Sequence, residues 1–382
     1  MEFKQDCNYF FPDRPCKIHK NNSNINCNNC NNFVPEGKKV LVIKLAALGD
    51  VVRTTSILKP LYKKYNKPSI FWVTYKDALP ILDNNPYVKE KISYDLAWQL
   101  AIEKFDVLIN LDLDNDALRL TKIVSAEKKV GFYLDDNNKI FFSNHAAKKW
   151  FELSHDDNSK KNNTLTYQKY MMQICELKVA KPKDYPIILN LTEEEKKFAE
   201  NFAFKNNIRK TDFVIGINTG GGDKWPKKEL PVENTVELIK LLVKTDKLKN
   251  KKLKILLLGG KKEKVRNERI IKILKSQSIN IIDSGTTNTL REFFSLVNLC
   301  NLLVVTDSLA LHIALGLKKK VVSLFGPTSA NEIELYGLGK KIVSPMECVC
   351  CYNRDCQKEP FCMQLINPTK IFAEIKKIIK TY

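Results

Sequence analysis

At 382 residues, 44% of them hydrophobic and 9% aromatic, the chain is long enough for two domains that each bury a core. No run approaches the roughly 20 apolar residues of a membrane span, and Met1 to Asn32 is too polar for a signal peptide, so the composition excludes a transmembrane protein and predicts a cytoplasmic one. The 63 basic against 43 acidic residues give +20, but only 8 of the 63 are arginine. Scattered lysines beside asparagines read as solvated surface first and as attraction to an anionic inner-membrane face second, and no nucleic-acid partner is expected.

Residues 1–36 read as a cysteine-rich extension. Cys7-x8-Cys16-x10-Cys27-x2-Cys30 offers four thiolates, and the closing C-x2-C pair has the spacing of tetrahedral zinc sites, with His19 as a spare ligand. A segment this polar has almost no core, so a bound metal would have to supply its folding energy. Reduced thiols and disulfides are the competing readings, and an iron–sulfur cluster is the alternative to zinc.

From Lys39 the pattern changes. Lys39 to Leu45 reads as a buried strand, Val51 to Tyr62 as helical, Ser69 to Thr74 as a strand, Ala78 to Leu82 and Ala97 to Lys104 as helical, and Asp106 to Leu111 as a strand. Asp135 to Lys169 is polar and reads as a long surface excursion. A second alternating series starts at Phe213 and includes strands at 254–258, 279–282, 302–305 and 321–325. Alternation of this kind predicts α/β domains with parallel sheets. The divisions expected are 37–190, 191–365 and a C-terminal helix over 366–382, the two halves facing each other across a cleft as in the GT-B architecture.

Ligands of open parallel sheets bind beyond the carboxyl ends of the strands, which singles out four loops. Ala46 to Asp50 places a carboxylate at a helix start, where capping competes with catalysis. Asn218 to Pro226 carries three glycines and Lys224, suited to a diphosphate, without the spacing of a P-loop. Thr306 to His312 opens a helix that Asp307 or Ser308 would cap, with His312 one turn along. Gly259 to Glu263 offers Glu263 either to a ribose or to a helix cap.

Val42 to Asp50 with Thr54-Thr55, Asp83 to Val88, Lys224-Trp225-Pro226, and Asp307 to His312 followed by Leu324 to Thr328 together resemble glycosyltransferase family 9, the ADP-heptose:lipopolysaccharide heptosyltransferase family. One departure is clear: Leu309-Ala310 stand where the family usually has glycine and proline. The resemblance spans about residues 38–366 and implies a GT-B fold and an inverting enzyme that needs no catalytic metal or other cofactor. It also implies an acceptor-binding first half, with Gly49 and Arg53 at the acceptor, and a donor-binding second half. In this reading Asp50 is the base and Lys224 supports the leaving diphosphate. Thr219, Gly220, Lys224, Glu263, Asp307, Ser308, His312 and Thr328 hold a nucleotide-sugar donor, ADP-heptose, and the acceptor is a lipid-linked glycan such as lipopolysaccharide core. Cys348-x2-Cys351-x4-Cys356-x5-Cys362 forms a second candidate metal set, and similar cysteines occur near this point in relatives. Two rival readings are a metal-dependent GT-A glycosyltransferase using Asp112 and Asp114, in the DxD form that binds nucleotide through Mn²⁺ or Mg²⁺, and a non-catalytic cysteine-rich metal-binding or regulatory protein.

Overall fold

The computed structural model describes residues 2–7, 9–178, 181–221, 225–245, 247–248 and 251–380. The extension contributes one short helix, α1 (Lys17–Asn21). The first half then builds β1 (Lys39–Ile43), α2 (Leu48–Thr54), α3 (Leu58–Lys64), β2 (Ser69–Thr74), β3 (Val88–Ser93), β4 (Lys104–Asn110), α4 (Asn115–Ile123), β5 (Ser125–Leu134) and β6 (Ile140–Phe142). Its sheet runs β3-β2-β1-β4-β5-β6, parallel except for the antiparallel β6. Val40, Leu41, Val42 and Ile43 are all fully buried, as expected of a strand covered on both faces.

Helices α5 (His145–His155), α6 (Asp157–Asn162) and α7 (Tyr167–Ile174) follow, so the stretch expected to be a surface excursion is mostly helical. Asn144 caps α5 through Ala147 N, and Ala147 and Leu153 are buried beneath a lysine-rich outer face. The segments Ala78–Leu82 and Ala97–Lys104, expected to be helical, fall on the 3₁₀ turns Lys76–Leu82 and Tyr94–Ile102, and Lys104 already opens β4. Pro80 cannot donate to an α-helical ladder in the first.

Helix α8 (Glu193–Lys205) links the halves and starts at a capping box made by Thr192 and Glu195. The second half contains β7 (Phe213–Asn218), α9 (Val232–Val243), β8 (Lys247–Leu248), β9 (Lys251–Leu257), α10 (Lys264–Lys275), β10 (Ile282–Asp283), α11 (Leu290–Leu299), β11 (Leu302–Thr306), α12 (Leu309–Gly316), β12 (Lys320–Phe325), β13 (Gly339–Val343) and α13 (Pro368–Ile379). Its sheet runs β10-β9-β7-β11-β12-β13, all parallel, with β8 antiparallel to β9.

In both sheets the strand order reverses direction beside the first strand, between β1 and β4 and between β7 and β11. Loops on either side of such a point diverge and leave a crevice, so the fold itself selects the loops after β1, β4, β7 and β11 for ligands. The halves are tied together. Arg291 on α11 holds Glu195 on α8 through two 2.6 Å contacts and also donates to Asn190 O at 2.6 Å and Pro80 O at 3.3 Å.

Candidate active site

The loop after β1 is anchored from below. Lys44, buried, pairs with the Asp112 carboxylate, which also accepts from Leu45 N at 2.6 Å and Ala46 N at 3.4 Å. Asp112 is itself fixed by Asn110, whose Oδ1 accepts from Asp112 N at 3.0 Å and whose Nδ2 donates to Asp112 O at 3.0 Å and Phe132 O at 2.8 Å. Asp114 caps α4 by accepting from Ala117 N at 2.9 Å. The Asp112/Asp114 reading is therefore corrected: one carboxylate is spent on a buried ion pair and two backbone donors, the other on a helix cap, and neither is presented to a nucleotide in the DxD manner.

This scaffold holds Asp50 in the first turn of α2. Both Arg53 contacts, Nε at 2.9 Å and Nη2 at 2.7 Å, fall on Asp50 Oδ1. The side chain keeps about a third of its surface exposed, at 34%. Burial alone would raise its pKa, but the Arg53 guanidinium and the Lys44 ammonium outweigh it and hold the carboxyl down at about 2. Arg53 is stacked 3.7 Å over the Tyr167 ring, and Tyr167 O–H lies 2.6 Å from Thr54 Oγ1, which donates to Asp50 O at 2.6 Å. Gly49 and Arg53 thus meet internal partners: Arg53 turns to Asp50 and Tyr167, Gly49 to His312.

His312 comes from α12 of the second half. It is 5% exposed, and its Nδ1 has no partner among the described residues. Burial, and next the charge of Arg53, push its pKa down to about 4, so the ring is neutral at working pH. Ser308 occupies the N-cap position of α12, yet its hydroxyl makes no cap bond; it is buried and without a partner, as is Thr328 Oγ1. Ser308 Oγ and His312 Nδ1 are thus two buried polar atoms left open in the first turns of one helix, where N–H groups and the helix dipole favour an anion, while Thr328 Oγ1 is a third on the loop after β12.

The loop after β7 is pinned by Arg266, which sequence reasoning did not single out. Its Nη2 donates to Thr219 Oγ1 at 2.8 Å, Leu230 O at 2.6 Å and Thr235 Oγ1 at 3.0 Å. Thr306 Oγ1 holds Gly220 O. Glu263 does cap, accepting from Gly260 N at 2.8 Å, and it also packs on Gly220, where a Cβ would stand 2.5 Å from its Cγ. Lys224 lies outside the described residues. Lys228 is buried nearby and its charge also acts on His312. Glu332, close to Arg53, Asp307 and Asp50, is raised by burial and completes the charged lining. Arg266, Lys228 and Glu332 carried no motif; the scarcity of arginine was the only signal for Arg266.

The family model for glycosyltransferase family 9 (heptosyltransferase) matches residues 94–361. The chain belongs to glycosyltransferase family 9. It is 22% identical over 360 residues to lipopolysaccharide heptosyltransferase 1 of Campylobacter coli, covering 89% of this chain and 98% of that one. With lipooligosaccharide heptosyltransferase 2 of Campylobacter jejuni subsp. jejuni serotype O:6 it shares 31% identity over 128 residues, 32% of this chain, and spans only 40% of that protein's length. Among solved structures it is similar to the family 9 glycosyltransferase of Veillonella parvula, with a TM-score of 0.73, 18% identity, and coverage of 91% of this chain and 98% of that one. ADP-heptose lipopolysaccharide heptosyltransferase II of E. coli gives a TM-score of 0.65 at 19% identity, covering 90% and 99%. The two facing parallel-sheet domains are the GT-B fold of this family. No helix among the described residues is long and apolar enough to cross a membrane.

Neither cysteine set is a finished metal centre. Among the described residues no three His, Cys, Asp or Glu side chains stand in a metal-holding arrangement. The C-terminal set is nevertheless gathered: Cys362 is buried, and its thiol is pushed up to about 11 by burial and then by Cys351, Cys348 and Cys356. Its loop packs against the segment after β12, with Cys350 N donating to Gly326 O at 2.9 Å and Tyr352 N to Pro327 O at 2.8 Å.

Proposed function

We propose that this family 9 enzyme transfers a heptose from ADP-heptose to a lipopolysaccharide-core acceptor in one inverting step, with no metal at the reacting centre. The observation that carries it is the placement of an ionised Asp50, one oxygen clamped by Arg53, next to the open polar atoms at the start of α12. The acceptor oxygen attacks the anomeric carbon while the bond from that carbon to the β-phosphate oxygen breaks and its electron pair leaves with ADP. The acceptor proton passes to Asp50 Oδ2. A carboxylate held near 2 is a weak base, so proton transfer trails bond making, when the acceptor hydroxyl has become strongly acidic. Developing charge on the diphosphate is met by Lys224, the Ser308 hydroxyl and the N–H groups opening α12.

In this reading residues 37–190 present the acceptor and 191–365 the donor, with Thr219, Gly220 and Glu263 forming the nucleotide wall and Thr328 facing it. The lipid-linked acceptor brings the enzyme to the cytoplasmic face of the inner membrane, where a net charge of +20 suits anionic headgroups. Cys348, Cys351, Cys356 and Cys362 stiffen the loop behind the donor, as thiols or around a structural metal. The test is Lys224→Ala: ADP affinity in calorimetry and kcat should both fall, and unchanged ADP affinity would move the donor site elsewhere.

A further inference from the structure

The extension has a problem that the rest of the chain does not. None of its described residues through Glu36 is buried, its only helix has five residues, and yet its two ends are brought together. Cys7 bridges to Pro35, Glu36 N donates to Asp6 O at 2.5 Å, and Glu36 pairs with Lys89 of the main fold at 2.5 Å. Closing such a loop costs chain entropy that no apolar core is there to offset.

The extension curls around a partly open cavity of about 580 Å³, lined by Cys7, Cys16, Cys27, Cys30 and His19 and also by aromatic rings such as Phe10 and Phe33. The four thiols are unpaired and half-buried. The C-x2-C turn is shaped by asparagine: Asn26 N donates to Asn29 Oδ1 at 2.7 Å, Asn28 N to Asn26 Oδ1 at 3.0 Å, and Asn29 N to Asn26 O at 3.2 Å. Such a turn folds Cys27 and Cys30 towards the same side without help from packing. His19 is engaged through Nδ1 with Ile25 O at 2.7 Å, which fixes its ring in the wall of the same cavity.

We propose that residues 1–36 are a metal-dependent module in which Cys7, Cys16, Cys27 and Cys30 bind one thiophilic transition-metal ion, zinc or iron, as a tetrathiolate. The four thiols lose their protons to solvent as the ion binds, and the ligand bonds replace the missing core. Drawing the sulfurs from the cavity wall onto one ion requires adjustment only within a segment that has no buried residue to resist it. His19 is a positioning residue that packs beside the cluster, and the module is remote from the reacting centre.

The experiment compares full-length protein, purified without affinity metals, with the Cys7→Ser, Cys16→Ser, Cys27→Ser, Cys30→Ser quadruple variant by elemental analysis for zinc and iron. The variant should hold one equivalent less than wild type, while its ADP binding and main unfolding transition stay unchanged; the difference isolates this set from any metal at the C-terminal cysteines. His19→Ala should keep the metal. In folded wild type the four thiols should resist titration until the ion is removed by a mercurial, which releases it stoichiometrically. Less than a tenth of an equivalent in wild type, or equal content in wild type and variant, would overturn the proposal. So would thiols that become titratable on reduction without releasing metal, which would mean disulfides. Loss from His19→Ala but not from Cys7→Ser would overturn the ligand set.

Discussion

The His312 ring rests on Gly49: a Cβ placed on that glycine would stand 2.9 Å from His312 Cδ2 and 3.7 Å from the Leu309 Cα. One residue sits beside Asp50 in the first half, the other on α12 of the second. Gly49→Ala should therefore push the His312 ring away from Asp50, since the added Cβ is too close to that buried ring but only in ordinary contact with the Leu309 backbone. We expect kcat/KM to fall by about 10- to 100-fold, with a stability loss of about 1–3 kcal/mol. Steady-state kinetics beside thermal unfolding checks this; wild-type turnover in Gly49→Ala would show that the contact is not needed.

His312 also sets a pH dependence of stability. Its folded pKa, about 4, lies below the ordinary 6.5. Between those values the unfolded chain binds a proton that the folded one does not, so stability rises with pH through the window and is lost as pH falls from about 6.5 to 4. The full effect is at most about 3 kcal/mol. Unfolding curves of wild type and His312→Gln from pH 7 to 4.5 should converge at the acid end, and parallel curves would contradict the burial argument.

Asp50 titrates the other way. Its folded pKa, about 2 against 3.8, means that its ion pair with Arg53 stabilises the fold above pH 3.8 and is lost only as pH falls through about 2. The free enzyme should accordingly show no acid limb from this base in kcat/KM between pH 5 and 7. Asp50→Asn should lower the rate by about 10²–10⁴ with ADP binding retained. A folded Asp50→Asn protein with near-normal turnover would reduce the residue to a cap.

Much of this was legible in the chain, because strand alternation and the loops after strands are local signals. Lys39 to Leu45 and Phe213 to Asn218 announced the first strand of each sheet, and the loops containing Asp50, Gly220 and Asp307 fall at the two reversals of strand order. What was hidden is non-local or masked. The Lys44–Asp112 pair joins residues 68 apart, and its meaning depends on β1 lying next to β4. Helix α5 was masked because lysines and asparagines surround the apolar positions Ala147 and Leu153. Arg266 reaches Thr219 across 47 residues, a contact that no spacing rule announces.

The Lys44–Asp112 pair makes its own prediction. Asp112→Asn removes the counter-charge of a lysine whose side chain is 5% exposed, and should cost about 3–5 kcal/mol. Lys44→Met in the Asp112→Asn background should recover part of that loss, because no uncompensated charge remains buried. Denaturant unfolding of the single and double variants measures the coupling; additive losses would show that the two side chains act independently.

The most direct test is a transfer assay in the presence of EDTA with ADP-heptose and a lipopolysaccharide core that ends before its heptose. The account predicts ADP release that depends on the acceptor, one heptose added per ADP formed, and opposite anomeric configuration in product and donor. Turnover that requires added Mn²⁺ or Mg²⁺, or transfer only from a UDP- or GDP-sugar, or a product that retains the donor's configuration, would contradict it.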